Sequence, residues 1–150
     1  MAKLTLSLGS NQGDRGEYLR QARAELTGRL GTVIFASDVV ITPPWGPVLQ
    51  PDFFNQILLI ETERLLRGSG IARGLHAILD ITQDIEQRCG RQRDQPWGPR
   101  TLDIDLIFAD DIVYEDERIS LPHPWWRQRA FVHELLPPGL ADLHVPVFDQ

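Results

Sequence analysis

The chain has 150 residues, 42% of them hydrophobic, and a formal charge of −6, which is enough for one globular domain with a single core. The acidic balance disfavours a general nucleic-acid binder, which carries a basic footprint, and no apolar run reaches the length of a membrane span. Cys89 is the only cysteine; with no internal disulfide possible and no signal-peptide pattern at the N-terminus, a cytoplasmic location is the expectation.

Lys3–Leu8 alternates apolar and polar residues and predicts a first strand. Gly9-Ser10-Asn11-Gln12-Gly13 is a turn. Asp14 followed by Glu17 resembles a capping box, and Leu19, Ala22, Leu26 and Leu30 line one helix face until Gly31. Val33–Ile41, β-branched and aromatic, predicts a second strand. Thr42-Pro43-Pro44-Trp45-Gly46-Pro47 cannot continue a ladder and predicts a stiff loop. Phe53–Glu61 follows as a third strand. Gly68-Ser69-Gly70 breaks the chain before a long helix with Ile71, Leu75, Ile78, Thr82 and Ile85 at spacings of three and four, ending near Cys89-Gly90. A polar loop (Arg91, Arg93, Asp94, Gln95, Pro96) leads to a strand at Leu102–Phe108. Asp110-Asp111 is a turn, Ile112–Tyr114 a short strand, and Leu121-Pro122-His123-Pro124 leads into a third helix. Trp125 and Trp126 begin that helix, at least one of them packing into the core. The Pro-rich end from Pro137 is irregular. This order predicts an α+β, ferredoxin-like sandwich with a mostly antiparallel sheet, in one domain spanning residues 1–150.

The most chemically informative stretch is Trp97-Gly98-Pro99-Arg100-Thr101-Leu102-Asp103-Ile104-Asp105-Leu106-Ile107-Phe108. Leu102, Ile104, Leu106 and Phe108 fall on one side of an extended strand, and Asp103 and Asp105 on the other. Carboxylates two residues apart on a strand have Cα atoms about 6.5–7 Å apart, so both can reach a cation or cation pair between them. Oxygen ligands of this kind suit Mg²⁺ carrying substrate phosphates. An isolated Asp-x-Asp is equally an ordinary half-buried strand with a solvated face.

Of the 15 basic residues only Lys3 is lysine. No lysine therefore sits in a Gly-rich loop, and a Walker-type phosphate site is excluded. Arg88, Arg91, Arg93, Arg100, Arg127 and Arg129 lie near the chain positions that enter or leave the aspartate strand. Loop arginines are commonly solvated surface, but their planar fork also pairs bidentately with phosphate oxygens. His123, between two prolines, has three readings: phosphate contact, metal ligand or structural hydrogen bond. Trp45 and Trp97, each beside Gly-Pro in a loop, either sandwich a flat heterocycle or form a satellite apolar cluster.

Six segments occur together and in order: Leu8-Gly9-Ser10-Asn11, Thr42–Pro47, Asp52-Phe53-Phe54-Asn55, Gly90-Arg91-Gln92-Arg93, Trp97–Asp105, and Leu121-Pro122-His123 with Arg127, Arg129 and Phe131. In these the chain resembles the 6-hydroxymethyl-7,8-dihydropterin pyrophosphokinase family of the folate pathway. The resemblance implies transfer of an intact pyrophosphoryl group from MgATP to a pterin hydroxymethyl, with release of AMP. It implies that Asp103 and Asp105 bridge two Mg²⁺ ions on the triphosphate. Arg91 and Arg100 match the family's catalytic arginines, the first on a loop that closes over the site. Gln83, Glu86, Arg93, His123, Arg127 and Arg129 match its ATP-contacting positions. Thr42, Pro43, Trp45, Phe53, Asn55, Trp97 and Phe131 match its pterin pocket. It also implies a monomer acting on small molecules.

The chain departs from the family pattern in three places. Phe53 stands where tyrosine is common, the Asp94-Gln95-Pro96 loop is about one residue shorter, and the sequence after Phe131 has diverged. A non-catalytic ferredoxin-like binding domain would leave the Trp97–Asp105 block unexplained, and an RNA-binding domain conflicts with the acidic charge.

Overall fold

A computed structural model describes residues 1–44, 46–47, 49–65, 70–90, 101–124 and 126–137, with the side chains of Arg127 and His133 outside that set. The elements in chain order are β1 (Ala2–Ser10), α1 (Arg15–Arg29), β2 (Thr32–Ala36), β3 (Val40–Thr42), β4 (Phe53–Thr62), α2 (Ile71–Arg88), β5 (Asp103–Ala109), β6 (Tyr114–Glu115), β7 (Ser120–Leu121) and α3 (Ala130–Leu135). The main sheet has the order β2-β4-β1-β5, β3 also pairs with β4, and every pairing is antiparallel. With β2 and β3 counted as one interrupted strand, this is the split β-α-β-β-α-β arrangement expected from the sequence.

Local chemistry places the helices. The Asp14 side chain accepts the Glu17 amide at 3.1 Å, satisfying one unpaired N–H at the start of α1. Leu19, Ala22 and Leu26 of α1 and Leu75, Ile78 and Ile85 of α2 are all buried against Leu4, Leu6 and Leu8 of β1. One sheet face therefore carries both long helices. The opposite face carries a second apolar cluster of Ile57, Leu59, Ile107, Phe108, Trp126, Val132 and Leu136. Trp126 meets Phe108 edge-to-face with ring centroids 5.1 Å apart, a geometry that contributes roughly 0.5–1.5 kcal/mol beyond area burial.

Four local expectations are corrected. Phe108 does not share a face with Ile104 and Leu106. Between Thr5 and Leu6 the β1–β5 register slips, Leu6 facing Leu106 but Thr5 facing Phe108. Ile107 is the extra residue of a bulge, and it turns Phe108 onto the Trp126 side. The second strand is broken at Ser37: its amide still donates to the Ile57 carbonyl at 2.9 Å, but the return bond is diverted, its Oγ accepting the Ile57 amide at 2.9 Å and its carbonyl accepting Gln56 Nε2 at 2.7 Å. The short strand is Tyr114–Glu115, pairing with Leu121 and Ser120, since Ile112 is held in a turn by its amide on the Ala109 carbonyl. Finally, Trp126 opens only a 3-10 turn, Trp126–Gln128. Arg129 is extended (φ −99°, ψ 98°), and the helix proper starts at Ala130.

Candidate active site

The aspartate strand β5 forms the sheet edge opposite β2. Asp103 faces Gly9 and Asp105 faces Ser7 across the β1–β5 ladder, so the two carboxylates project from the sheet face that carries Trp126 and α3. A cavity of about 300 Å³ opens there, bounded by Thr42, Pro43, Phe53 and Asn55 on one side and by Gln128–Phe131 on the other. Gly9 lies in its lining. A Cβ at Gly9 would sit 3.5 Å from Asn55 Oδ1 and 3.6 Å from Phe53 Cδ1, so the missing side chain leaves that volume to the cavity. Asn55 is buried, and its Nδ2 donates to Thr42 Oγ1 at 2.6 Å, which orients the amide. Aromatic walls with a few fixed polar groups suit a flat, polar-edged ring.

A second cavity of about 390 Å³ lies against α2 and the β6–β7 hairpin, lined by Gln83, Glu86, Arg118, Ser120 and His123 among others. Asp103 and Asp105 line this cavity as well as the first. Glu86 is only 3% exposed, and its Oε2 accepts the Ile104 amide at 2.7 Å, anchoring the strand midway between the two aspartates. Arg118 Nη2 donates to Asp80 Oδ1 at 2.6 Å and to Gln83 Oε1 at 3.1 Å. Burial pushes the His123 imidazole down to about 4; the nearby Arg129 charge acts in the same direction, and Asp103 partly opposes both. His123 is therefore neutral near pH 7, a hydrogen-bonding ring on the wall of the second cavity.

Arg129 Nη1 donates to Asp105 Oδ2 at 2.9 Å, both side chains being 25% exposed. Among the described residues no group of three or more His, Cys, Asp or Glu could hold a metal ion. Two carboxylates are, however, what Mg²⁺ commonly takes from protein when substrate phosphates and water complete its shell, and the Asp103/Asp105 oxygen pair fits that pattern.

A protein-family model described as 7,8-dihydro-6-hydroxymethylpterin-pyrophosphokinase matches residues 5–138. The chain belongs to this family. The 2-amino-4-hydroxy-6-hydroxymethyldihydropteridine pyrophosphokinase of Methylorubrum extorquens is 38% identical over 133 residues, covering 88% of this chain and 78% of that protein. The Bacillus subtilis protein of the same name is 38% identical over 128 residues, 85% of this chain and 71% of its own. Among solved structures, the Plasmodium falciparum HPPK-DHPS crystallised with pteroate aligns at a TM-score of 0.61 and 12% identity, a likeness of fold. It covers 90% of this chain and 38% of that longer one.

Within this pyrophosphokinase frame the sequence-predicted residues sort by cavity. Thr42, Pro43, Phe53, Asn55 and Phe131 gather around the first, and Gln83, Glu86 and His123 around the second. Arg129, expected at ATP, lines the first cavity through its bond to Asp105. Trp45, Arg91, Arg93, Trp97 and Arg100, with the Arg127 side chain, lie outside the described residues. Sequence reasoning missed Ser7, Gly9 and Gln128 in the first cavity and Asp116, Arg118 and Ser120 in the second. The alternation of β1 had put a polar Ser7 on one strand face, but its place beside Asp105 is a matter of register. Among the described residues no helix is long and apolar enough to cross a membrane.

Proposed function

We propose that this pterin pyrophosphokinase works across the Asp103/Asp105 pair, with the pterin in the first cavity and ATP in the second. The observation that carries this reading is that both aspartates line both cavities, so a group held by them touches each substrate. The hydroxymethyl oxygen of 6-hydroxymethyl-7,8-dihydropterin attacks the β-phosphorus of ATP. The bond from that phosphorus to the α,β-bridging oxygen breaks, the bridging oxygen leaves with AMP, and the hydroxyl proton passes to solvent. The product is the pterin diphosphate used in folate biosynthesis.

Asp103 and Asp105 would hold two Mg²⁺ ions on the triphosphate. When bound, Mg²⁺ neutralises phosphate charge and polarises the phosphorus under attack. Arg129 pairs with Asp105 and orients its carboxylate until the nucleotide arrives. Asn55, fixed by Thr42, presents its amide to the pterin edge, and Phe53 and Phe131 cover the ring. Gln83, Glu86, His123 and Arg129, with Arg93 and Arg127, would contact ATP. Arg91 and Arg100 would meet charge developing on the transferred group, and Trp45 and Trp97 would complete the pterin sandwich. We read the enzyme as a cytoplasmic monomer acting on small molecules, in keeping with its acidic charge and single cysteine.

Mass spectrometry after incubation with MgATP and the hydroxymethyl pterin tests the reaction. A pterin diphosphate formed together with AMP supports it. A pterin monophosphate with ADP would make the protein an ordinary kinase, and no turnover would make it a binding module.

A further inference from the structure

The β6–β7 hairpin forms one wall of the second cavity, and one carboxylate organises it. Asp116 Oδ1 accepts the Arg118 amide at 2.8 Å and the Ile119 amide at 3.0 Å, and the Asp116 amide donates to the Ile119 carbonyl at 2.9 Å. These three bonds define the turn. The other oxygen, Oδ2, accepts the Tyr114 hydroxyl at 2.7 Å and meets His76 Nε2 of α2, also at 2.7 Å. A carboxylate only accepts, so the His76 ring nitrogen donates. The hairpin is thereby tied to the helix that carries Asp80 and Gln83, the two residues that hold the Arg118 guanidinium. Arg118 Nη1 also approaches the His76 carbonyl at 3.4 Å.

We propose that Asp116, clasped to α2 by His76, is a positioning residue for the nucleotide: it fixes the hairpin so that Arg118 stands ready at the wall of the ATP cavity. Asp116 itself acts through Arg118. The Tyr114 hydroxyl first, then the Arg118 amide, hold the Asp116 carboxyl well below its usual range, so the acceptor stays anionic through the working pH. This proposal rests on the reading of the second cavity as the nucleotide subsite.

The test is steady-state kinetics and equilibrium ATP binding for wild type, His76→Ala, Asp116→Asn and Arg118→Ala, and for the His76→Ala/Arg118→Ala double variant, with thermal stability measured alongside. His76 is half-exposed, so its variant folds even if Asp116→Asn does not. We expect the KM for ATP to rise about fivefold in His76→Ala, less than the full weight of a hydrogen bond to a charged group because the pair is partly exposed and Tyr114 and the turn amides still hold Asp116, while kcat stays within about twofold. The KM for the pterin should not move. In the Arg118→Ala background the His76 substitution should have no further effect on ATP. An unchanged KM for ATP, an equal penalty in the Arg118→Ala background, or a parallel loss in both KM values and kcat would overturn the proposal. A wild-type protein that fails to bind ATP would sink the nucleotide reading and the clasp together; normal wild-type binding with unaltered variants would sink the clasp alone.

Discussion

Arg129 Nη1 and Asp105 Oδ2 form a 2.9 Å ion pair at the point where the two cavities meet. Asp105 is therefore paired with a cation supplied by the segment that also bounds the first cavity. Arg129 reaches it because the backbone there is extended and the helix starts one residue later. The irregularity that spoiled the expected third helix is what delivers the arginine to the aspartate.

Removing either carboxylate should stop the chemistry without unfolding the chain. Asp103→Ala and Asp105→Ala are each expected to lower kcat by more than about a hundredfold in saturating Mg²⁺, since one aspartate cannot hold the metal–triphosphate alone. Circular dichroism should remain native-like, because both side chains lie outside the apolar clusters. Near-wild-type turnover in either variant would remove that aspartate from the metal site.

Gly9 sets the depth of the first cavity. Gly9→Ala places a methyl at ordinary contact distance from Asn55 and Phe53, so stability should change by less than about 1 kcal/mol. The KM for the pterin should rise at least about tenfold, with the KM for ATP hardly altered, because a methyl in a fitted pocket costs that much. Equal changes in both KM values would mean that Gly9 does not line the pterin subsite.

His123 should titrate near 4 in the free enzyme, measured by the pH dependence of its ring proton shifts. Its ordinary value is 6.5, so on acidification the unfolded chain takes up this proton before the folded one does. The contribution of neutral His123 to stability is complete above 6.5 and is lost as pH falls toward 4. Urea unfolding at pH 7 and pH 5 should show a larger drop for wild type than for His123→Gln. A ring titrating near 6.5 would contradict the burial that lowers it.

Phe108 tests the bulge. Phe108→Ala empties the contact with Trp126 and should cost about 3–5 kcal/mol in urea denaturation, whereas the exposed Val113→Ala should cost less than about 0.5 kcal/mol. A small loss at Phe108 would place its ring outside the second core.

Much of this architecture was legible in the sequence where the signal is local. The Asp14 cap, the leucines of α1, the long α2 and the alternation at Asp103 and Asp105 all depend on neighbours within a turn or a pleat. What was hidden depends on partners far along the chain. The extra residue at Ile107 is defined only against Thr5 and Leu6, and nothing in Asp105-Leu106-Ile107-Phe108 itself marks a bulge. Ser37 reads as one more strand residue until Gln56 and Ile57 claim its carbonyl and hydroxyl. The motif pattern singled out Asp103, Asp105 and Phe131, all of which line the first cavity, but it passed over Arg118 and Asp116. Their place on the cavity wall is set by contacts with His76, Asp80 and Gln83, some 35 to 42 positions away.

Attack at the β-phosphorus across the Asp103/Asp105 pair is the central claim, and the fate of label in ATP radiolabelled at that phosphorus tests it most directly. After turnover with the hydroxymethyl pterin, all transferred label should be in the pterin product, and the nucleotide product should be unlabelled AMP. Label retained in ADP, with only the γ-phosphoryl moved, would contradict the account.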